Sequence, residues 1–144
     1  MLEIDALPDA KQHLATVLTE HGILPTTQRI EIAAILLAKL QHLSAEQVLA
    51  KTASTGLTVS KATVYNTLGL FVERGLVRQV IVDSTRVFYD SNITPHYHFY
   101  NVDDGTLTDV AIDDVPIARL PSPPDGTAAT GVDIVMRVRN QKLL

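Results

Sequence analysis

Ser60-Lys61-Ala62-Thr63-Val64-Tyr65-Asn66-Thr67-Leu68-Gly69-Leu70-Phe71-Val72 is the stretch on which the fold of the first half turns. Ser60 is the kind of residue whose hydroxyl caps a helix start. Val64, Leu68, Phe71 and Val72 recur at the spacing of one buried helical face, and Gly75 is the expected stop. The first two turns are crowded with polar-capable side chains, Lys61, Thr63, Tyr65 and Asn66. In the second helix of a helix-turn-helix those positions meet base edges in the major groove. Asn can pair with adenine through two bonds, Thr can touch a thymine methyl, and Lys can reach a guanine or a phosphate.

Three helices are expected upstream. Asp9 reads as the cap of the first, which runs to His21 and stops at Gly22, with Leu14, Val17 and Leu18 at helical spacing. A second starts near Thr26 or Thr27 and should carry Ile30, Ala33, Ala34, Leu37 and Leu40 inward. Ser44 followed by Gln47 is a capping-box start for the third, and Lys51 to Val59 joins it to the fourth. Downstream the apolar period drops to two. Leu76 to Val82, a turn at Asp83-Ser84 and Thr85 to Tyr89 predict a two-stranded hairpin. Helices plus hairpin are the parts of a winged helix-turn-helix, in which Arg29 and the wing residue Arg86 are phosphate candidates. With Ser60, Lys61, Thr63, Tyr65 and Asn66 they form the expected DNA-binding set, and the partner is double-stranded DNA.

Charge is distributed accordingly. The 144-residue chain has a formal net charge of −4, which taken whole opposes nucleic-acid binding. From Leu24 to Phe88, however, seven basic residues face four acidic ones, and six aspartates with no Lys or Arg lie between Asp90 and Asp114. The front is basic and the middle acidic. There is no cysteine, which excludes disulfides, thiol chemistry and thiolate-held zinc. The N-terminus lacks the basic region of a signal peptide, and no apolar run approaches the roughly 20 residues that span a bilayer. The expectation is a cytoplasmic protein with no membrane partner.

The second half, after Ser91-Asn92-Ile93-Thr94-Pro95, reads as a small sheet. His96 to Val102 and Thr106 to Ile112 form a hairpin around Asp103-Asp104-Gly105. Asp113 to Gly131 reads mostly as loop, and Val132 to Arg139 alternates like a strand. About 50 residues are few for an independent fold, so a second copy is expected to complete it as a homodimer. The overall expectation is α+β: a winged-helix DNA-binding domain over 1–90 and a small α/β dimerisation and metal-sensing domain over 91–144.

His96 and His98, one residue apart on a strand, point to the same face. A two-residue turn at Asp104-Gly105 would set Asp109 opposite Tyr100 and near His98. Asp90 ends the wing strand six residues earlier. Two His and two carboxylates suit Fe(II), Mn(II), Zn(II) or Ni(II). By its spacing His42 reads only as a turn residue, and His13 and His21 as helix-surface residues. A two-His, one-carboxylate set also resembles non-haem iron oxygenases, but no substrate-pocket or phosphate-loop signature accompanies it. The expectation is a regulator, not an enzyme. A metal-storage or interaction module, the third reading, would not bind duplex DNA.

Five blocks, Gly22-Ile-Leu-Pro-Thr-Thr-Gln-Arg29, His42-Leu-Ser-Ala-Glu46, Ala62-Thr-Val-Tyr-Asn-Thr-Leu68, Phe88-Tyr-Asp90 and His96-Tyr-His98, resemble the ferric uptake regulator family in order and spacing. Pro123-Pro-Asp-Gly126 and Val132-Asp-Ile-Val-Met-Arg-Val-Arg139 look most like its cysteine-poor branch, which includes iron response regulators and some peroxide-responsive regulators. The resemblance implies a regulatory metal site of His42, Asp90, His96, His98 and Asp109, holding Fe(II) or Mn(II) in the cell with Zn(II) as another occupant. It implies metal-controlled operator binding, usually repression, at AT-rich inverted repeats, and a recognition-helix tyrosine at Tyr65. Peroxide sensing through oxidation of a ligand His and haem sensing are the alternatives, although Tyr97 interrupts the His run that haem-sensing members carry. The four-cysteine structural zinc of many members has no counterpart here: Asn101 and Asp104 stand where its first cysteine pair would be. Leu24 replaces a usually basic residue, and Asn66 a frequent Arg.

Overall fold

The computed structural model describes residues 2–142, with side chains described from residue 9 onward. The chain divides into two compact units, 1–93 and 94–144, so the boundary lies three residues beyond the Asp90 limit read from the sequence.

In the first unit, α1 (Leu2–Glu20), α2 (Thr27–Leu36), α3 (Ala45–Ser54) and α4 (Lys61–Glu73) accompany a sheet of β1 (His42–Ser44), β2 (Arg78–Ile81) and β3 (Val87–Asp90) in the order β1-β3-β2. The caps read from sequence are present on α2 to α4. Thr26 accepts from the Arg29 amide, Ser44 and Gln47 form the reciprocal capping box, and Ser60 accepts from the Thr63 amide. Helix α4 ends in a turn where the Gly75 amide donates to Val72 and the Leu76 amide to Phe71. Gly75 has φ of +76°, a conformation that costs a residue with a Cβ about 1 kcal/mol or more.

Leu18, Ile32, Leu36, Val48, Val64, Leu68 and Phe71 are fully enclosed and form one core with Leu43, Val77 and Tyr89. Burying side chains of this size contributes about 1.5–3 kcal/mol each, which is what holds short helices together that are marginal alone.

Three expectations change here. Helix α1 begins at Leu2, so Asp9 is interior and not its cap; most of the preceding residues are themselves good helix formers. Helix α2 turns Ile32, Ala33 and Leu36 inward, while Leu40 lies beyond its end and is 75% exposed. The wing sheet has three strands instead of two, because residues 42–44 pair antiparallel with β3.

The second unit is a three-stranded sheet in the order β5-β4-β6, from β4 (Tyr97–Asn101), β5 (Leu107–Val110) and β6 (Val135–Val138). Strand β5 runs antiparallel to β4, and β6 parallel to it. Its helical content among the described residues is one 3-10 turn, Ile112–Asp114, so the expected α/β character of this domain reduces to a sheet with a long connection. That connection is proline-rich and exposed along residues 116–133.

Where the first cysteine pair was missing, a hydrogen-bonded clasp stands. Asn101 accepts from the Asp103 and Asp104 amides at 2.8 and 3.2 Å and donates to the Asn140 side chain at 2.8 Å; the Asn140 amide donates to Asp103 at 2.8 Å. The clasp ties the β4–β5 turn to the segment after β6. No helix among the described residues is long and apolar enough to cross a membrane.

Candidate functional site

The β4–β5 register sets the first group of donors. His98 pairs with Asp109, and Tyr100 pairs with Leu107. The turn is therefore four residues, Val102 to Gly105, instead of two, and Asp109 stands opposite His98 and not Tyr100. The slip is two residues, so Asp109 keeps the face it was expected to share with the imidazoles. Its Oδ1 lies 3.5 Å from His96 Nε2 and 3.4 Å from His98 Nε2. The two rings are 4.5 Å apart between centroids, and both histidines are buried at 7% and 3% exposure. One donor atom from each of the three residues lies within 4.8 Å of the others. His96 Nδ1 is 2.6 Å from the Thr94 carbonyl. A proton on Nδ1 donated to that carbonyl leaves the lone pair on Nε2, on the side where Asp109 lies, which is the usual way a ligating imidazole is oriented. Two imidazoles and a carboxylate form a donor set that fits a borderline divalent ion.

The second group lies in the first unit. Strand β1 exists because Leu43 is buried under β3 and its register sets His42 directly opposite Asp90. Facing residues in an antiparallel pair have Cβ atoms about 4.5–5.5 Å apart. The loop ahead of His42 is pinned to the chain beyond Asp90. Ser91 Oγ accepts from the Gln41 amide at 3.0 Å and donates to the Lys39 carbonyl at 2.9 Å, while the Gln41 side chain donates to Ile35 and Leu36 carbonyls. Asp90 is 1% exposed and accepts from the Asn92 amide at 2.9 Å. His42 stacks edge-on against Phe88, centroids 6.2 Å apart. His42, a turn residue by its spacing and a metal ligand by the family resemblance, is a strand residue with a carboxylate directly opposite it. His13 is exposed, and His21, just past the end of α1, has Nδ1 on the Val17 carbonyl of that helix.

The DNA-binding candidates other than Arg86 lie on or beside the start of α4. Ser60 Oγ donates to Thr63 Oγ1 at 2.9 Å besides accepting the Thr63 amide, so its hydroxyl is committed to the cap. Lys61 and Asn66 are exposed. Arg29, Thr63 and Asn66 line one groove of about 300 Å³ with Thr26, Gln28 and Thr67, while Arg29 Nη1 donates to the Leu24 carbonyl at 3.0 Å. Arg86 lies on the wing, in a turn whose Asp83 carboxylate accepts from the Thr85 amide, the Thr85 hydroxyl and the Arg86 amide at 2.8–2.9 Å. Those bonds, the Thr85 ones foremost, hold the Asp83 carboxyl below its ordinary range.

Tyr65 has a partner, Glu46, that no sequence motif marks out. The phenol is 40% exposed and donates to the Glu46 carboxylate on α3, and the Lys61 ammonium lies 5.8 Å from its ring centroid. This bond holds the Glu46 carboxyl low and pushes the Tyr65 phenol up. Glu46 was visible only as part of the His42–Glu46 block. Nothing in a 19-residue separation announces a contact across two helices.

Residues 20–120, well over half of the chain, match the model of the ferric uptake regulator family. A peroxide-responsive repressor of Staphylococcus aureus is 26% identical over 108 residues, covering 75% of this chain and 73% of that protein. Among solved structures, the ferric uptake regulator of Pseudomonas aeruginosa with manganese is 24% identical with a TM-score of 0.67, covering 88% of this chain and 97% of that one. The Francisella tularensis ferric uptake regulator with iron is 20% identical with a TM-score of 0.66, covering 81% and 90%. These structures share the fold, and the family match carries the assignment: this chain belongs to the ferric uptake regulator family.

Proposed function

We propose that the protein is a metal-controlled transcriptional regulator, a homodimeric repressor that binds double-stranded operator DNA, and not an enzyme. The observation that supports this most directly is the placement of the five donors. His42 and Asp90 face each other at the end of the wing sheet, and His96, His98 and Asp109 converge on one face of the following sheet. These residues would hold one Fe(II) or Mn(II) ion, with Zn(II) accepted by the same donors. Bound there, the ion supplies an energy that favours only arrangements in which both donor groups are engaged. The chain's own part is to carry each group rigidly on paired strands, the first beside the helix-turn-helix and the second in the sheet assigned to dimerisation. In a dimer the two recognition helices then read the halves of an inverted repeat, with α4 in the major groove and Arg29, Lys61 and Arg86 on phosphates.

The test is operator binding with Mn(II) against a metal-free control, for the wild type and His42→Ala. The expected result is metal-dependent binding that His42→Ala abolishes. Equal metal dependence in both proteins would refute the shared site.

Peroxide sensing is the second reading, favoured by the likeness to the Staphylococcus aureus peroxide-responsive repressor. With no cysteine in the chain, such a response would fall on a ligand imidazole. Mass spectrometry after Fe(II) and peroxide should then find one added oxygen on His42 or His96. An unmodified chain would leave plain metal sensing.

A further inference from the structure

The bond from the Tyr65 phenol to Glu46 joins the two helices of the helix-turn-helix at the surface assigned above to DNA. An exposed tyrosine is normally free to choose among staggered rotamers. Here its hydroxyl is fixed on α3 and its ring is flanked by the Lys61 ammonium. Both Glu46 and Lys61 therefore restrict where the ring and its hydroxyl stand before any DNA arrives.

A carboxylate is an odd choice at such a place. Phosphate contact dominates non-specific affinity, and an anion beside Lys61 and Tyr65 opposes it. Its presence makes physical sense if what it provides is order. Fixing a side chain in its bound conformation beforehand lowers the entropy lost on binding. That benefit accrues only where the ring meets a defined base, whereas the electrostatic cost applies on any duplex.

We propose that Glu46 is a positioning residue for sequence discrimination: its carboxylate holds Tyr65 in the conformation that reads the operator. The inference rests on the DNA-binding reading above. It also has a signature of its own, because Glu46 should weaken binding to unrelated DNA while sharpening the preference for the operator. A residue that merely supported the helix pair would change both affinities together.

The experiment uses the full chain with Mn(II) and two duplexes. One is selected by the wild-type protein from a randomised library, and the other is a scramble of it. Glu46→Ala should lower the ratio of the two affinities by up to about tenfold, the size expected when the entropy of ordering a side chain has to be lost on binding instead of beforehand. Glu46→Gln, which still offers an oxygen to the phenol, should restore the ratio while tightening binding to both duplexes. Tyr65→Phe should lower the ratio as far as Glu46→Ala, and the double variant no further. Because the ratio is taken on one preparation, a reduced folded fraction cancels from it.

A DNA-free readout separates this claim from the functional one. In an ultraviolet titration, Glu46→Ala should bring one tyrosine ionisation down, since the carboxylate is what pushes the Tyr65 phenol up. An unchanged titration, an unchanged ratio in Glu46→Ala, or a Glu46→Gln variant as poor as Glu46→Ala each overturns the positioning role. A wild type that selects no duplex overturns the DNA reading and this inference with it, while the titration still reports whether the bond forms.

Discussion

Asp109→Asn offers the sharpest probe of the proposed metal centre. One carboxylate oxygen faces both imidazoles at 3.4–3.5 Å, so the substitution removes the donor charge common to both histidines while leaving the side chain's shape nearly intact. Asp109 is half exposed, its side chain at 48%, and such a site tolerates an isosteric change within about 0.5 kcal/mol without ligand. With ligand the difference should be large. Mn(II) at 100 times its Kd stabilises the folded wild type by about 2.7 kcal/mol. Loss of an outer partner of a ligand alone costs 10- to 100-fold in metal affinity, and a direct donor should reach the upper end. A hundredfold loss leaves about 0.4 kcal/mol at the same Mn(II) concentration. At roughly 2–4 °C per kcal/mol for a chain of this size, Mn(II) should raise the wild-type Tm by roughly 5–10 °C and that of Asp109→Asn by about 1 °C. Thermal melts followed by circular dichroism, with and without Mn(II), measure this directly. Asp113→Asn, in the exposed 3-10 turn, serves as the control that retains the full shift. An equal rise for Asp109→Asn would show that the ion binds elsewhere and refute the assignment.

Other substitutions test the frame. Ser44→Ala removes one arm of the capping box and should cost about 1 kcal/mol in urea denaturation. Leu68→Ala, in the fully enclosed face of α4, should cost about 2–5 kcal/mol with an unchanged far-ultraviolet spectrum at low denaturant. Asn101→Ala loses three clasp bonds and Asn140→Ala only one, so the first should be the more destabilised, by about 1 kcal/mol. The Asp83 carboxyl is held low by the wing turn. A folded-state pKa below the unfolded one contributes stability that is present above about pH 4 and lost as pH falls through the folded value. Asp83→Asn should therefore flatten the acid limb of the Tm–pH curve, and an unchanged limb would refute that origin. Lys61→Ala and Arg29→Ala should each reduce the salt slope of DNA binding by about one, read by titration against scrambled duplex.

The helical half was legible because caps and core periodicity are local. Thr26, Ser44 and Ser60 announce their helices within four residues, and Leu68 and Phe71 fall on one face by count alone. What escaped the reading was decided at long range. Three residues, 42–44, carry too little alternation to signal a strand, and only pairing with β3 makes one. That pairing converts His42 from a turn residue into the neighbour of Asp90. Asp109 falls on the expected face but two residues along, because Asp104-Gly105 imitates a two-residue turn while the Asn101 side chain organises a longer one through the Asp103 and Asp104 amides. Leu40 failed for a similar reason. The apolar period continues past the end of α2, where the Gln41 side chain donates to the helix's last carbonyls.

The joint between the units bears on how strongly the proposed site could act. Ser91 and Asn92 are bonded back to the first unit, through Lys39, Gln41 and Asp90. Thr94 accepts from His96 in the second. The division between them falls after Ile93, which is half exposed. Asp90 lies three residues before that point and His96 three after it. Ordering the backbone of a residue costs about 1–2 kcal/mol, so fixing the few torsions of so short a joint demands only a small part of what a well-held divalent ion can contribute. The arrangement suits a proposed site in which modest metal affinity suffices, because two of its five donors, Asp90 and His96, lie three residues either side of the joint. Inserting Gly-Ser-Gly-Ser after Ile93 should separate the two effects. Metal affinity should fall by the added ordering entropy, and metal should lose control of operator affinity even where binding saturates. Retention of full metal control in that variant would mean that the two donor groups do not act through this joint.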